Sequence, residues 1–263
     1  MLELANQFNN QNILIYGFGK SGRACFKYLR KNNKIEIYDD KKSSIPKNLK
    51  KNSINKTKLT SVNFDRIVVS PGIDINKCTI KKYLSKNKSK IISELDIFYL
   101  NNIKNKKITI TGTNGKSTTS KLLHDVLKKH GKDVRLVGNI GKPLLSEKNI
   151  KPQTIFVIEA SSYQIEYSKY FKTDFAIILN ISPNHLERHR TFKNYIKSKF
   201  RLIKSQKKNS FAFIEKNNNF LKEELKKNKI NSKIIKVNLK ISNKIKKKIK
   251  NPYFENKNNL NNL

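Results

Sequence analysis

A short β-branched run at residues 108–111 opens straight into Gly112-Thr113-Asn114-Gly115-Lys116-Ser117-Thr118 and then into a stretch with helical spacing, and few folds accommodate that order. In a strand, glycine loop and helix of this kind, the loop's backbone N–H groups converge at the helix N-terminus, where they cradle phosphate oxygens. Lys116 can neutralise β- and γ-phosphates, and Ser117 can place its hydroxyl on Mg²⁺. Ile110 occupies the place where the general G-x-x-x-x-G-K-[ST] pattern has its first glycine.

Other β-branched runs recur at residues 13–16, 35–38, 67–69, 134–137, 155–158 and 175–179, bounded by polar or glycine-containing turns. Between several of them lie helical segments, such as the one carrying Leu122, Leu123, Val126 and Leu127, with Gly131 in the position of a C-cap. Alternating strands and helices predict parallel sheets flanked by helices, an α/β class. A length of 263 residues suggests about two domains. The break near residues 91–93 and the polar stretch 101–107 put their boundary at residue 93, giving 1–93 and 94–263. Beyond Lys216 the chain reads as a Lys/Asn/Ile mixture with poor periodicity.

The first α/β series has its own glycine turn. Residues 13–16 run into Gly17-Phe18-Gly19-Lys20-Ser21-Gly22, and Ala24, Cys25, Tyr28 and Leu29 suit the buried face of the following helix. This G-x-G-x-x-G lies in the context that gives it meaning, a tight turn that lets backbone approach phosphate at a helix N-terminus. Asp39 ends the next strand, where a carboxylate can accept from a ribose or base. Ser70-Pro71-Gly72 adds a turn at the same sheet edge. The glycine turn alone would favour an NAD-dependent enzyme; with the Ser70-Pro71-Gly72 turn beside it, a nucleotide diphosphate is a reasonable ligand.

Ligands of open parallel sheets sit beyond the carboxyl ends of the strands. There, Glu159 directly follows residues 155–158, and His185 lies in Asn180-Ile181-Ser182-Pro183-Asn184-His185. A carboxylate and an imidazole beside a phosphate loop are sensible Mg²⁺ ligands. His124 and His130 suit a helix surface and His189 is uncommitted. On side-chain chemistry alone Lys199 is one lysine among many.

Composition constrains partners. A formal net charge of +38 invites a nucleic-acid reading, but the lysines follow Asn and Ile along the whole chain instead of clustering on one segment. Two cysteines, Cys25 and Cys78, have no metal-ligand spacing. No apolar run approaches the roughly 20 residues needed to cross a bilayer. A cytoplasmic monomer that neither enters membranes nor binds nucleic acid is expected.

The residues 111–117, T-G-T-N-G-K-S, resemble the phosphate loop of the muramyl (Mur) ligase family. Glu159-Ala160-Ser161-Ser162-Tyr163-Gln164 and Gly138-Asn139-Ile140-Gly141 resemble its D-glutamate-adding branch, as do the Gly17–Gly22 turn and Ser70-Pro71-Gly72. The resemblance implies ligation of D-glutamate to UDP-N-acetylmuramoyl-L-alanine through an acyl phosphate, with ATP and Mg²⁺, in peptidoglycan precursor synthesis. It implies catalytic roles for Lys116, His185 and Lys199, and metal binding by Ser117, Glu159, His185 and Lys199, with Lys199 at the position the family carbamylates. It also implies UDP-substrate contacts at Gly17, Lys20, Ser21, Asp39, Asp40, Ser70, Gly72 and Asn139, and nucleotide contacts by residues 112–118 and Asn259.

Asn184 stands where the family often has Asp, and Asn258 where an adenine-side motif has His. By this reading the chain stops within the central domain, before a D-glutamate-binding third domain, and would be inactive as given. The rivals are a dinucleotide-dependent oxidoreductase, which leaves the second loop, Glu159 and His185 unused, and a non-catalytic nucleotide- or nucleic-acid-binding protein.

Overall fold

The computed structural model describes residues 8–238. Asn259 and the motif around it lie outside the described residues. The chain forms two compact units. The first holds the described residues up to Ile103 with Pro143–Asn149 and Glu166–Phe171, and the second holds Lys104–Lys142, Ile150–Ile165 and the described residues from Lys172. The helix that follows residue 93 therefore packs with the first unit, and two short later segments return to it.

In the first unit, strands β1 (Asn12–Tyr16), β2 (Lys34–Tyr38), β3 (Arg66–Val69) and β4 (Ile91–Ile92) form a parallel sheet in the order β2-β1-β3-β4. Helix α1 (Lys20–Leu29) returns from β1 to β2 and buries Ala24, Cys25, Phe26 and Leu29. Helices α2 (Lys81–Lys86) and α3 (Glu94–Asn101) flank β4. Helix α3 starts with a reciprocal capping box between Ser93 and Asp96, which satisfies two orphan donors at its N-terminus. The buried Asp96 carboxylate also accepts the backbone N–H groups of Lys169 (2.9 Å), Tyr170 (2.7 Å) and Phe171 (3.0 Å), which ties the segment Glu166–Phe171 to this helix.

The second unit is a six-stranded parallel sheet. Its strands are β5 (Lys106–Thr111), β6 (Val134–Gly138), β7 (Ile155–Glu159), β8 (Phe175–Ile178), β9 (Phe211–Glu215) and β10 (Lys233–Val237), in the order β10-β9-β8-β5-β7-β6. Helix α4 (Lys116–Lys129) follows β5. Short helices α5 (Ser162–Glu166) and α6 (Leu186–His189) follow β7 and β8, and α7 (Phe192–Lys204) and α8 (Asn219–Lys227) complete the unit. Ile110, Val134 and Val157 anchor one side of its core.

Both sheets reverse their strand order beside the strand that carries a glycine-rich turn, β1 between β2 and β3 and β5 between β7 and β8. This is where parallel α/β sheets open a crevice for ligands. The predicted strands are all present within a residue or two of the expected bounds. The poorly periodic stretch beyond Lys216 is a correction: it carries α8 and β10. Helix α8 buries only Leu221 and Glu224, and β10 is an edge strand with no buried residue, so neither needs a strong apolar pattern.

Candidate active site

The phosphate loop of the second unit is held from the neighbouring strand. Asn180, just after β8, accepts the Thr113 N–H on its carbonyl (3.0 Å) and the Asn114 N–H on Oδ1 (2.8 Å), while its amide donates to Asn114 O (3.2 Å). Thr113 Oγ1 accepts Ser182 N–H (3.0 Å) and lies 3.1 Å from the Tyr195 hydroxyl. Gly115 caps α4 with φ 78°, a left-handed conformation that glycine adopts without strain. No side chain caps the helix and no acidic residue lies in its first turn, so its N–H donors and positive dipole end remain available to an anion.

Two ammonium groups share one carbonyl beneath the loop. Lys116 Nζ donates to Gly112 O (3.0 Å) and Thr113 O (2.8 Å), and Lys199 Nζ donates to the same Gly112 O (2.8 Å). Lys199 is 2% exposed, with Nζ 4.7 Å from the centre of the Tyr195 ring. Burial, with the charge of Lys116 second, brings its amine down to about 7. Burial also lowers Lys116, against the pull of Glu159. Side-chain chemistry alone does not distinguish Lys199 from its neighbours, and only the family resemblance singled it out; its burial beside the loop sets it apart physically.

Glu159 lies at the end of β7 in register with Ile110 of β5, and is 1% exposed. Its Oε1 accepts the Asn139 amide at 2.7 Å, but its Oε2 is buried with no partner. An orphaned buried carboxylate oxygen costs free energy unless a cation or donor meets it. Mg²⁺ is normally held by one or two carboxylates, with phosphates and water completing its shell. No cluster of three or more His, Cys, Asp or Glu is formed among the described residues. The donor set of Glu159 and Ser117 beside a phosphate loop thus fits Mg²⁺ bound together with a nucleotide.

His185 opens α6 in a left-handed conformation, φ 54°. Its side chain is 45% exposed, with Nδ1 3.5 Å from Glu187 Oε1 and its ring 5.0 Å from that of Tyr163. His189, uncommitted in the sequence, is buried, with Nε2 2.9 Å from Ser162 Oγ. Burial first, then the charges of Arg188, Lys199 and His185, hold its imidazole at about 4, and hence neutral near pH 7. His124, expected on a helix surface, is partly buried on α4, its side chain 16% exposed, with Nδ1 2.9 Å from Asp125 Oδ1.

The candidate site of the first unit lies at the end of β1. A Cβ on Gly17 (φ 89°) would come within 2.8 Å of Ser70 Cβ, and one on Gly22 would be driven into the Gly17 carbonyl. Ser70 Oγ donates to Gly17 O at 2.7 Å, which joins the two expected turns. Around Gly19 and Gly72 the space is open. Asp39 Oδ2 accepts the Phe18 N–H (2.7 Å) and Oδ1 that of Lys41 (2.8 Å), so the carboxylate shapes the glycine turn itself. Asp40 accepts from Tyr16 Oη (2.7 Å) and from Thr79. Lys20 is exposed at the first position of α1, and Ser21 donates to buried Glu94, a partner the sequence reading missed. Asn139, expected beside the UDP-sugar, belongs to the second unit and is bonded to Glu159.

Comparisons with known proteins agree with this layout. Residues 110–261 match the Mur ligase middle domain, and residues 11–93 match the Mur ligase MurD-like N-terminal domain. The UDP-N-acetylmuramoylalanine–D-glutamate ligase of Caldicellulosiruptor bescii is 34% identical over 224 residues, covering 81% of this chain and 49% of that protein. The ligase of the same name from Elusimicrobium minutum is 39% identical over 224 residues, covering 80% and 49%. The chain thus spans about half the length of these relatives. Among solved structures, the UDP-N-acetylmuramate:L-alanyl-gamma-D-glutamyl-meso-diaminopimelate ligase of Neisseria meningitides superposes with a TM-score of 0.55 at 16% identity, covering 86% of this chain and 78% of that one, a likeness of fold alone. With a family match over more than half of its residues, and both glycine-rich turns at the switch points of its two sheets, the chain belongs to the Mur ligase family.

Proposed function

We propose that this chain carries the UDP-substrate and ATP sites of an ATP-dependent ligase that joins D-glutamate to UDP-N-acetylmuramoyl-L-alanine. The observation that carries the reading is the convergence of Lys116 and Lys199 on the Gly112 carbonyl, beside a buried Glu159 with one unpartnered oxygen. The relatives named above are D-glutamate ligases. In the reaction, the alanine carboxylate oxygen bonds to the γ-phosphorus of ATP as the bond to the β-bridging oxygen breaks, releasing ADP. The amine of D-glutamate then attacks the acyl carbon, phosphate leaves, and the amine gives up a proton as the amide forms.

The α4 N-terminus and residues 112–118 would hold the phosphates, and Lys116 would stabilise charge developing on the γ-phosphoryl oxygens. Asn180 and Tyr195 keep the loop in shape. Mg²⁺ would be held by Ser117 and Glu159, with His185 and a carbamylated Lys199 at a second position. It supplies charge neutralisation on the phosphates. An amine held near 7 is largely neutral at mildly alkaline pH and can add to dissolved CO₂, losing a proton to become a carbamate, which supports the role proposed for Lys199. In the first unit, the open space at Gly19 over the α1 N-terminus suits the diphosphate of the UDP-sugar. Asp39 would then act mainly by shaping the turn. We also place the protein in the cytoplasm, as a monomer, with no nucleic-acid partner.

Calorimetric titration of the full chain tests the reading. Saturable binding of UDP-N-acetylmuramoyl-L-alanine and, separately, of ATP with Mg²⁺ is expected, with NAD at least tenfold weaker than the UDP-sugar. Tighter binding of NAD would overturn it in favour of an oxidoreductase.

A further inference from the structure

Helix α6 has four residues, too few for a helix to persist on its own local bonds. It is bracketed by two non-glycine residues at positive φ, His185 (φ 54°) and Arg190 (φ 68°), a backbone that is strained for a residue bearing a Cβ. Such a segment keeps its shape only if tertiary contacts over-determine it. Its one buried residue is His189, while Leu186 is 41% exposed.

His189 holds three structures together. Its Nε2 is 2.9 Å from Ser162 Oγ, three residues beyond Glu159. Its carbonyl accepts the Asn194 amide of α7 (3.0 Å), and its backbone N–H donates to the His185 carbonyl (3.0 Å). The Tyr163 ring packs against both imidazoles, 5.0 Å from His185 and 5.5 Å from His189. Two side-chain hydrogen bonds therefore link the segment that carries Glu159 to the segment that carries His185, the exposed one from Tyr163 Oη to Glu187 Oε1 (3.3 Å) and the buried one between Ser162 and His189.

We propose that His189 is a positioning residue that, through Ser162, sets the placement of His185 relative to Glu159 for the metal-nucleotide complex. The inference rests on the reading of Glu159 and His185 given under Proposed function. A merely structural pin would support the fold without distinguishing metal-bound from metal-free nucleotide.

The test measures the affinity of the full chain for a fluorescent ATP analogue with and without Mg²⁺, in wild type, His189→Ala, His189→Gln, Ser162→Ala and the double alanine variant. Each single alanine variant is expected to lower the Mg²⁺-dependent gain in affinity about tenfold, in the range found when a partner that orients a metal ligand is lost. Metal-free affinity should stay the same, and the double variant should lose no more than either single one. His189→Gln, whose amide can reach Ser162, should keep most of the gain. UDP-nucleotide binding by the first unit should not move. A Mg²⁺ gain equal to wild type, an equal loss with and without Mg²⁺, or additive losses would each overturn the proposal. Should His189→Ala fail to fold, Ser162→Ala decides alone by the same criteria. A wild-type chain whose ATP affinity ignores Mg²⁺ would instead sink the functional reading on which the inference stands.

Discussion

Replacing Lys199 by methionine removes a buried amine whose charged form the fold disfavours, so its effect on stability should depend on pH. The amine falls from 10.5 when solvated to about 7 in the fold, chiefly through burial and secondly through the charge of Lys116. At about 1.36 kcal/mol per tenfold change in protonation equilibrium, charged Lys199 costs the folded chain roughly 5 kcal/mol relative to the neutral form. Below pH 7 both folded and unfolded chains hold the proton and the full cost applies. Between 7 and 10.5 the unfolded chain binds more protons, so stability rises with pH, and above 10.5 the cost is gone. Integrated from pH 6.5 to 9.5, the relief is about 3 kcal/mol.

Methionine forfeits the bond to Gly112 O, worth about 1.5–3 kcal/mol for a charged donor, but that carbonyl keeps Lys116 as a partner at 3.0 Å. Lys199→Met should therefore be more stable than wild type at pH 6.5, and the advantage should vanish or reverse by pH 9.5. Lys107, held near 8 chiefly by burial, shifts the same way in both proteins and cancels in the comparison. Urea unfolding followed by circular dichroism in CO₂-free buffer at several pH values is the assay. A difference between the two proteins that stays constant within 1 kcal/mol across this range would refute the reasoning.

Glu159→Gln should cut the Mg²⁺-dependent gain in ATP affinity tenfold or more, read by calorimetry, with thermal stability changed by less than about 2 kcal/mol, because the bond from Asn139 to Oε1 survives and an uncharged amide NH₂ replaces the orphaned carboxylate oxygen. Gly22→Ala drives a Cβ into the Gly17 carbonyl and should cost about 1–3 kcal/mol in thermal unfolding. Gly19→Ala, with open space around it, should leave the melting temperature near wild type but weaken binding of a UDP-nucleotide to the first unit. Asp96→Asn leaves a single acceptor oxygen among the N–H groups of Ser93, Lys169, Tyr170 and Phe171, and should cost on the order of 3 kcal/mol in denaturant unfolding.

Sequence alone was enough for features whose physics is local. A β-branched run, a glycine turn and a helical repeat lie within about twenty residues, so residues 108–130 and 13–29 announced strand, phosphate loop and helix without reference to the rest of the chain. Glu159 and His185 could be found because parallel sheets place the ends of their strands together. Weak patterns failed where burial is slight, as along the edge strand β10 and the lysine-rich helix α8.

Tertiary structure alone decided which polar residues are buried, and with what partners. By side-chain chemistry Lys199 is one of many lysines until α7 carries it to the Gly112 carbonyl, 87 residues away in the chain, where lost hydration changes its proton affinity. Asn180 becomes the clamp of the phosphate loop only because β8 lies beside β5, and Asn139 is bonded to Glu159 because β6 lies beside β7. His189 acquires a role through Ser162, and Asp39 turns back onto Phe18. Each of these depends on desolvation and on distances between residues remote in sequence, neither of which is encoded in local spacing.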